Sequence, residues 1–252
     1  MKLKIAHCSM QYSDTPRQMK HDAEALFSRN YDWLTGTEAG EGAGPLGDIL
    51  YRAAKRHGYR FHLPRQNDCW IAVNRDMIDG DWHRHYRPVI PSSRELGSSK
   101  AFGPKGVASV EFNNNKIGEV NIAASHYLPG GNIIGRQSIH GGVNHYEWNR
   151  QLAREIGQFA RKAGRGKALA FYGGDQNIVD KFNDTFFGQP LVSCWDELNK
   201  YPNTGRGNID LIAKFSRDKR TTCRGARVYK DRQLKLFTDH FLVEAVYRVK
   251  NL

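Results

Sequence analysis

Thr238-Asp239-His240-Phe241-Leu242-Val243-Glu244-Ala245-Val246-Tyr247 sets an acid and an imidazole directly before a strand-like apolar run. Earlier stretches of the chain repeat the arrangement. Glu38 closes the run that begins at Tyr31, and His126 ends Val120-Asn121-Ile122-Ala123-Ala124-Ser125. Gly174-Asp175-Gln176-Asn177 follows the apolar Ala168–Tyr172, and Asp210 lies within Asn208-Ile209-Asp210-Leu211-Ile212. Serine, asparagine or glycine would punctuate strands at lower desolvation cost. Acids and imidazoles at five strand ends point to a sheet that delivers them to one metal-dependent site.

Working outward, the chain alternates strands and helices. Strands are expected at Leu3–Met10, Tyr31–Thr37, Cys69–Val73, Val107–Phe112, Ile117–Ala124, Ala168–Tyr172 and Phe241–Tyr247, with Asn113-Asn114-Asn115 as a turn. Helices are expected over 16–30, 46–57 and 147–163. In the last, Trp148, Leu152, Ile156, Phe159, Ala160 and Ala163 recur at spacings of three and four, and Gly164 is the expected stop. Residues 76–104 and 128–146 read as long irregular loops, a kind of segment that tends to shape a site. No repeat or linker divides the 252 residues, so one domain over 1–252 is expected.

The net charge of +12 favours a polyanionic partner. Nine Lys or Arg residues fall between Lys214 and Lys235, against Asp218 and Asp231. Lys219, Arg220 and Arg224 in that segment, and Arg136, His140 and His145 in the second loop, are the candidate phosphate contacts. The other reading of the segment is a solvated basic hairpin. Four scattered cysteines without C-x-x-C spacing, a start without secretory character and no membrane-length apolar run suggest a reduced, cytoplasmic protein with no membrane partner.

The chemistry of each motif follows from its residue types. Mg²⁺ takes hard oxygen ligands and keeps several waters, so Glu38 suffices as a first ligand and Asp239 as a second. Asp175 can orient or deprotonate a water, and Asn177 can donate to a phosphate oxygen. Glycines 173 and 174 read as a sharp turn. Asp210, a carboxylate in an apolar run, needs a partner, and His240 is the natural one. His126 can serve a non-bridging oxygen or the leaving group. His83-x-His85 lacks further zinc ligands at recognisable spacing and reads as surface or phosphate-contacting.

This ordered set, Glu38, His126, Gly174-Asp175-x-Asn177, Asn208-Ile209-Asp210 and Asp239-His240, resembles the endonuclease/exonuclease/phosphatase superfamily, which includes the DNase I-like nucleases. The resemblance spans residues 3 to about 247. It implies an α/β sandwich, two mixed β-sheets face to face with helices outside, and an active site at one edge. It also implies Mg²⁺- or Mn²⁺-dependent cleavage of a phosphoester. On that basis Glu38 binds the metal with support from Asp239, Asp175 positions the water, and Asn177 holds the phosphate. Asp210 orients His240, and His126 stabilises the phosphate. Members usually carry asparagine at the end of the first strand, where Ser9 stands here, with Gln11 two residues on.

The expected activity is a metal-dependent nuclease acting on nucleic acid, DNA in preference to RNA. The alternatives are a phosphatase or phosphodiesterase of a small or lipid-linked phosphoester, and a nucleic-acid-binding protein whose site has decayed.

Overall fold

The computed structural model describes residues 1–10, 15–39, 44–99, 101–129, 139–177, 186–200, 202, 204, 210–230 and 234–250. Its elements run β1 (Lys2–Ser9), α1 (Pro16–Phe27), β2 (Trp33–Thr37), α2 (Pro45–Arg56), β3 (Tyr59–His62), β4 (Trp70–Asn74), β5 (Trp82–Ile90), β6 (Lys105–Asn114) and β7 (Gly118–His126). They continue β8 (Ile139–His140), β9 (Val143–Asn144), α3 (His145–Arg165), β10 (Leu169–Asp175), β11 (Leu191–Ser193), α4 (Cys194–Leu198), β12 (Asp210–Phe215), β13 (Thr221–Tyr229) and β14 (Leu242–Val249).

Two mixed six-stranded sheets pack face to face, in orders β13-β14-β1-β2-β4-β3 and β11-β12-β10-β7-β6-β5. The period-two alternation of each strand decides what lies between them. From β1, Leu3 and Ile5 join Trp33, Ile71, Val110, Ile122, Phe171, Ile212 and Tyr247 in the core. Ala6 and Cys8, on the opposite face of β1, pack with Leu34 and Trp70 under Met19, Leu26 and Phe27 of α1 and Leu50 of α2. Thr15 and Gln18 close a capping box at the start of α1, with Pro16 inside its first turn. Across the molecule, α3 lays Leu152, Ile156, Ala160 and Ala163 on the second sheet.

Several expectations need correction. Gly164 does not stop α3; the helix runs through it to Arg165 and is capped by Gly166. A Cβ on Gly164 would lie 2.3 Å from Phe215 Cε1, so this glycine serves helix–strand packing. Gly173 and Gly174 form no turn either. They lie inside β10, where a Cβ on Gly173 would meet Thr35 Oγ1 at 1.9 Å. Gly173 allows close approach between the sheets, and a Cβ on Gly174 would meet Tyr172 and Ser125 of its own sheet.

The stretch 76–104 contains a nine-residue strand, β5, at the edge of its sheet. An edge strand with exposed charged positions shows no buried alternation, which is why Trp82-His83-Arg84-His85-Tyr86-Arg87 reads as loop. Asn113 and Asn114 belong to β6 rather than to the turn, and 128–146 holds the small β8–β9 ladder and the start of α3. The basic segment after Lys214 contains the nine-residue β13. Gln11, Arg136, Asn208, Ile209 and Arg232 lie outside the described residues.

Candidate active site

Strand register assembles the site. In the second sheet Asp175 is the Cα partner of His126 on parallel β7 and of Asp210 on antiparallel β12. Three strand ends therefore set an imidazole and two carboxylates side by side. In the first sheet Ser9 pairs with Thr37, at the ends of parallel β1 and β2. Glu38 follows with φ of 58°, a left-handed conformation that a non-glycine residue adopts at some cost. Its Oε2 accepts a hydrogen bond of 2.5 Å from buried Ser9 Oγ. Ser9, the last residue of β1, thus holds the Glu38 carboxylate.

His240 reaches the same edge through an ordered approach. Buried Asp22 of α1 accepts from the backbone N–H groups of Phe237 and Thr238 at 3.0 and 3.3 Å. Thr238 Oγ1 donates to Ser9 O at 2.8 Å and accepts from the His240 N–H at 3.2 Å. His240 Nδ1 then lies 2.7 Å from Asp210 Oδ2 and 3.9 Å from Asp175 Oδ2.

Two imidazole–carboxylate pairs flank Asp175. One is His240–Asp210. The other is His126–Asp68, with Nδ1 and Oδ2 2.8 Å apart, and His126 Nε2 lies 3.8 Å from Asp175 Oδ2 and 3.9 Å from Glu38 Oε1. Buried Lys105 joins the second pair, its Nζ 2.5 Å from Asp68 Oδ2 and 2.8 Å from His126 Nδ1. Asp68 Oδ2, Lys105 Nζ and His126 Nδ1 are thus in mutual contact, three corners of a triangle.

The electrostatics follow from burial and these contacts. Burial, then the Asp210 charge, pushes Asp175 well above the usual carboxylate range, to about 7. Burial would raise Asp210 too, but hydrogen bonds from His240 and His7 outweigh it and hold it low. Burial opposes a charged His240; Asp210 outweighs burial and pushes the imidazole up to about 9. Burial would raise Asp68, yet Lys105 and His126 hold it well below the usual range. Lys105 and His126 are both raised, since Asp68 overcomes the burial that disfavours their charge.

Among the described residues, Glu38, Asp175 and His240 bring one ligand atom each to within 4.8 Å of one another. The two carboxylates, Glu38 and Asp175, suit a hard divalent ion, whereas His240, pushed toward its charged form by Asp210, stands beside them as a hydrogen-bond donor. The donor set therefore fits the expected ion. Asp239 lies beside it, Oδ1 3.9 Å from His240 Nε2. Asn177 Nδ2 donates to Tyr127 O at 2.8 Å, and its backbone N–H donates to Asp175 Oδ1 at 2.9 Å. One proton of its amide is thereby committed to fixing the turn.

Of the proposed phosphate contacts, His145 is enclosed in packing, and Lys219, Arg220 and Arg224 lie away from this edge. His145 is buried, bonded through Nδ1 to Pro129 O at 2.7 Å, and its ring centroid is 4.7 Å from that of His140. It is a packing residue at the start of α3. Thr221 pairs with Val249, the last residue of β14, whereas His240 precedes the first. Arg220 reaches the carbonyls of Ile117 and Lys167, which precede β7 and β10. Lys219 and Arg220 thus lie at the opposite end of the sandwich, and Arg224 on the far half of β13. Having one catalytic motif on each side of the segment does not bring its middle to the site. His85 lies 3.8 Å from Glu111 and is well exposed, as a surface role for His83-x-His85 requires. A cleft of about 590 Å³ between β5, β6 and α3 is lined by Arg87, Glu111, Glu155 and Lys162. Its acids are already paired, Glu155 with Arg87 and Glu111 with Lys162.

Asp68, Lys105, Asp22 and His7 were missed in the sequence. The strand-end rule would have found two of them: Asp68 precedes the apolar run 69–73, and Lys105 precedes 107–112. Alternation would have found His7, which shares the inward face of β1 with Leu3, Ile5 and Ser9. Asp22 carries no such signal.

No protein-family profile matches the chain, and no curated protein sequence matches it. Solved structures do. The human Nocturnin catalytic domain with bound sulfate anion superposes with a TM-score of 0.70 at 12% identity, covering 99% of this chain and 94% of that one. D. rerio TDP2 complexed with single-strand DNA product gives 0.68 at 14% identity, covering 98% and 99%. An endonuclease/exonuclease/phosphatase protein of Beutenbergia cavernae DSM 12333 gives 0.67 at 15% identity, covering 98% and 72%. At these identities what is shared is the fold, and the chain has the α/β sandwich of the endonuclease/exonuclease/phosphatase proteins.

Proposed function

We propose that the protein is a divalent-metal-dependent phosphodiesterase that cleaves nucleic acid, DNA in preference to RNA, in the cytoplasm. The observation that carries the phosphodiesterase reading is the convergence of Glu38 and Asp175 with two imidazole–carboxylate pairs, His240–Asp210 and His126–Asp68. The TDP2 structure holding a DNA product and the Nocturnin structure holding sulfate support an anionic ligand for this fold. The net charge of +12 supports a polyanion, and four free cysteines support a reducing compartment.

Glu38 and Asp175 would hold Mg²⁺ or Mn²⁺, with His240 and Asp239 beside them. The ion would supply Lewis acidity and neutralise charge on the phosphoryl oxygens. Asp175 orients the attacking water and accepts its proton. His240, kept protonated by Asp210, and His126, held in place by Asp68, donate to non-bridging oxygens as negative charge grows there. The amide proton of Asn177 not used by Tyr127 serves the same phosphate.

A second reading draws on one specific observation. Lys219 and Arg220 lie at the far end of the sandwich, so their charge does not line the approach to Asp175. That favours a small phosphoester over a long polymer. Cleavage of end-labelled single- and double-stranded DNA and RNA, with Mg²⁺, Mn²⁺ or EDTA, tests both. Metal-dependent cutting of DNA that Asp175→Ala abolishes supports the nuclease. Cutting of no polymer, with turnover of a small phosphoester, replaces it by the second reading.

A further inference from the structure

We infer that His7 is a positioning residue that fixes the second oxygen of Asp210, and through it the orientation of His240; its effect on catalysis rests on the phosphodiesterase reading. His7 is fully buried on β1, facing β12 across the sandwich. Its Nε2 lies 3.4 Å from Asp210 Oδ1, longer than a good hydrogen bond, and both buried atoms are otherwise without a hydrogen-bond partner. The other carboxylate oxygen, Oδ2, is the one that holds His240 at 2.7 Å. One carboxylate therefore stands between two imidazoles.

The proton on His7 is assigned by its surroundings. Nδ1 lies 3.0 Å from Thr35 Oγ1, whose one proton has two acceptors in reach, Nδ1 at 3.0 Å and the Ala6 carbonyl at 3.5 Å; the shorter contact is the one to Nδ1. The other tautomer would put the bare lone pair of Nε2 against a carboxylate oxygen in a dry core, a strongly unfavourable contact. With Nε2 protonated, Thr35 can donate to Nδ1, and the Nε2 proton is set toward Asp210 Oδ1 at an N···O distance of 3.4 Å. Burial favours the neutral imidazole, as this arrangement needs.

The fold makes room for this group at the expense of apolar packing. Gly173 of β10 faces the pair, and a Cβ there would lie 1.9 Å from Thr35 Oγ1 and 3.3 Å from His7 Nδ1. An aliphatic side chain at position 7 would fill the same core without a buried polar atom. It would leave Asp210 Oδ1 unpaired, free to rotate the carboxylate away from His240.

Three measurements on full-length protein test the inference. His7→Leu is expected to lower kcat about ten- to a hundredfold with KM within about twofold. His7→Gln, whose Nε2 can donate to the same oxygen, is expected to recover most of that loss. Imidazole ¹⁵N–¹H NMR of the wild type is expected to show His7 protonated at Nε2 only. Wild-type kcat in folded His7→Leu would overturn the inference, as would equal losses in the Leu and Gln variants. A His7 protonated at Nδ1 would overturn it whether or not either variant folds. The spectrum does not depend on turnover, so a wild type that cleaves no phosphoester sinks the phosphodiesterase reading while the tautomer still decides His7.

Discussion

Asp175 and Asp210 are Cα partners in the antiparallel β10–β12 ladder, two buried carboxylates placed directly opposite each other. Their environments push them apart. Asp210 accepts from His240 and is held in its charged form, whereas Asp175 carries the burial and the repulsion. The arrangement makes Asp210 a permanent partner for an imidazole and Asp175 the acid that a cation would ionise.

Asp210→Asn keeps the shape of the side chain but removes the charge that sustains the imidazolium of His240. Phosphoester cleavage at neutral pH is expected to fall by about a hundredfold or more, with unchanged circular dichroism. Activity within threefold of wild type would remove the Asp210–His240 pair from the mechanism.

Stability should also report this pair. The pKa of His240 rises from 6.5 to about 9 on folding, so protonation favours the folded state. The contribution is fully present below pH 6.5 and is lost as pH rises through 9. For metal-free protein, urea unfolding is expected to lose up to roughly 3 kcal/mol across that window, and Asp210→Asn to flatten the slope. A level wild-type profile would show that the pair does not form in solution.

Metal binding is expected to raise Tm, since an ion bound only by the folded state adds about 2.7 kcal/mol at a hundred times its Kd. Asp175→Asn and Glu38→Gln should abolish the rise given by Mn²⁺ while leaving the metal-free Tm close to wild type or above it. Isothermal titration of Mn²⁺ gives an independent check. An undiminished shift in both variants would place the ion elsewhere.

Lys105→Met leaves the partly buried Asp68 with only the His126 imidazole beside it. Breaking a buried pair by removing one partner is expected to cost about 3 kcal/mol in chemical denaturation. Replacing Asp68 and Lys105 together, as Asp68→Asn with Lys105→Met, should cost less than Lys105→Met alone. A double variant less stable than the single would show that the carboxylate is not the source of the penalty.

Position along the chain decided much of this protein. Apolar runs placed seven of the fourteen described strands, and the i, i+3, i+4 stripe from Trp148 to Ala163 placed α3, because those patterns depend only on local geometry. Polar residues at run ends, Glu38, His126, Asp175, Asp210 and His240, were legible for the same reason: a strand ends where its side chains change character. The edge strand β5 was not, since one solvated face and a free edge leave no pattern to read.

Tertiary structure alone decided which of these residues meet. Register set His126, Asp175 and Asp210 in one row, and sheet packing brought Ser9 to Glu38 and His7 to Asp210. It also removed Lys219 and Arg220 from the site, because a nine-residue strand carries its two ends to opposite edges of the sandwich. Charge and side-chain type are properties of a residue and can be read one position at a time. Hydrogen-bond partnership and desolvation belong to pairs distant in sequence, and only the folded chain defines them.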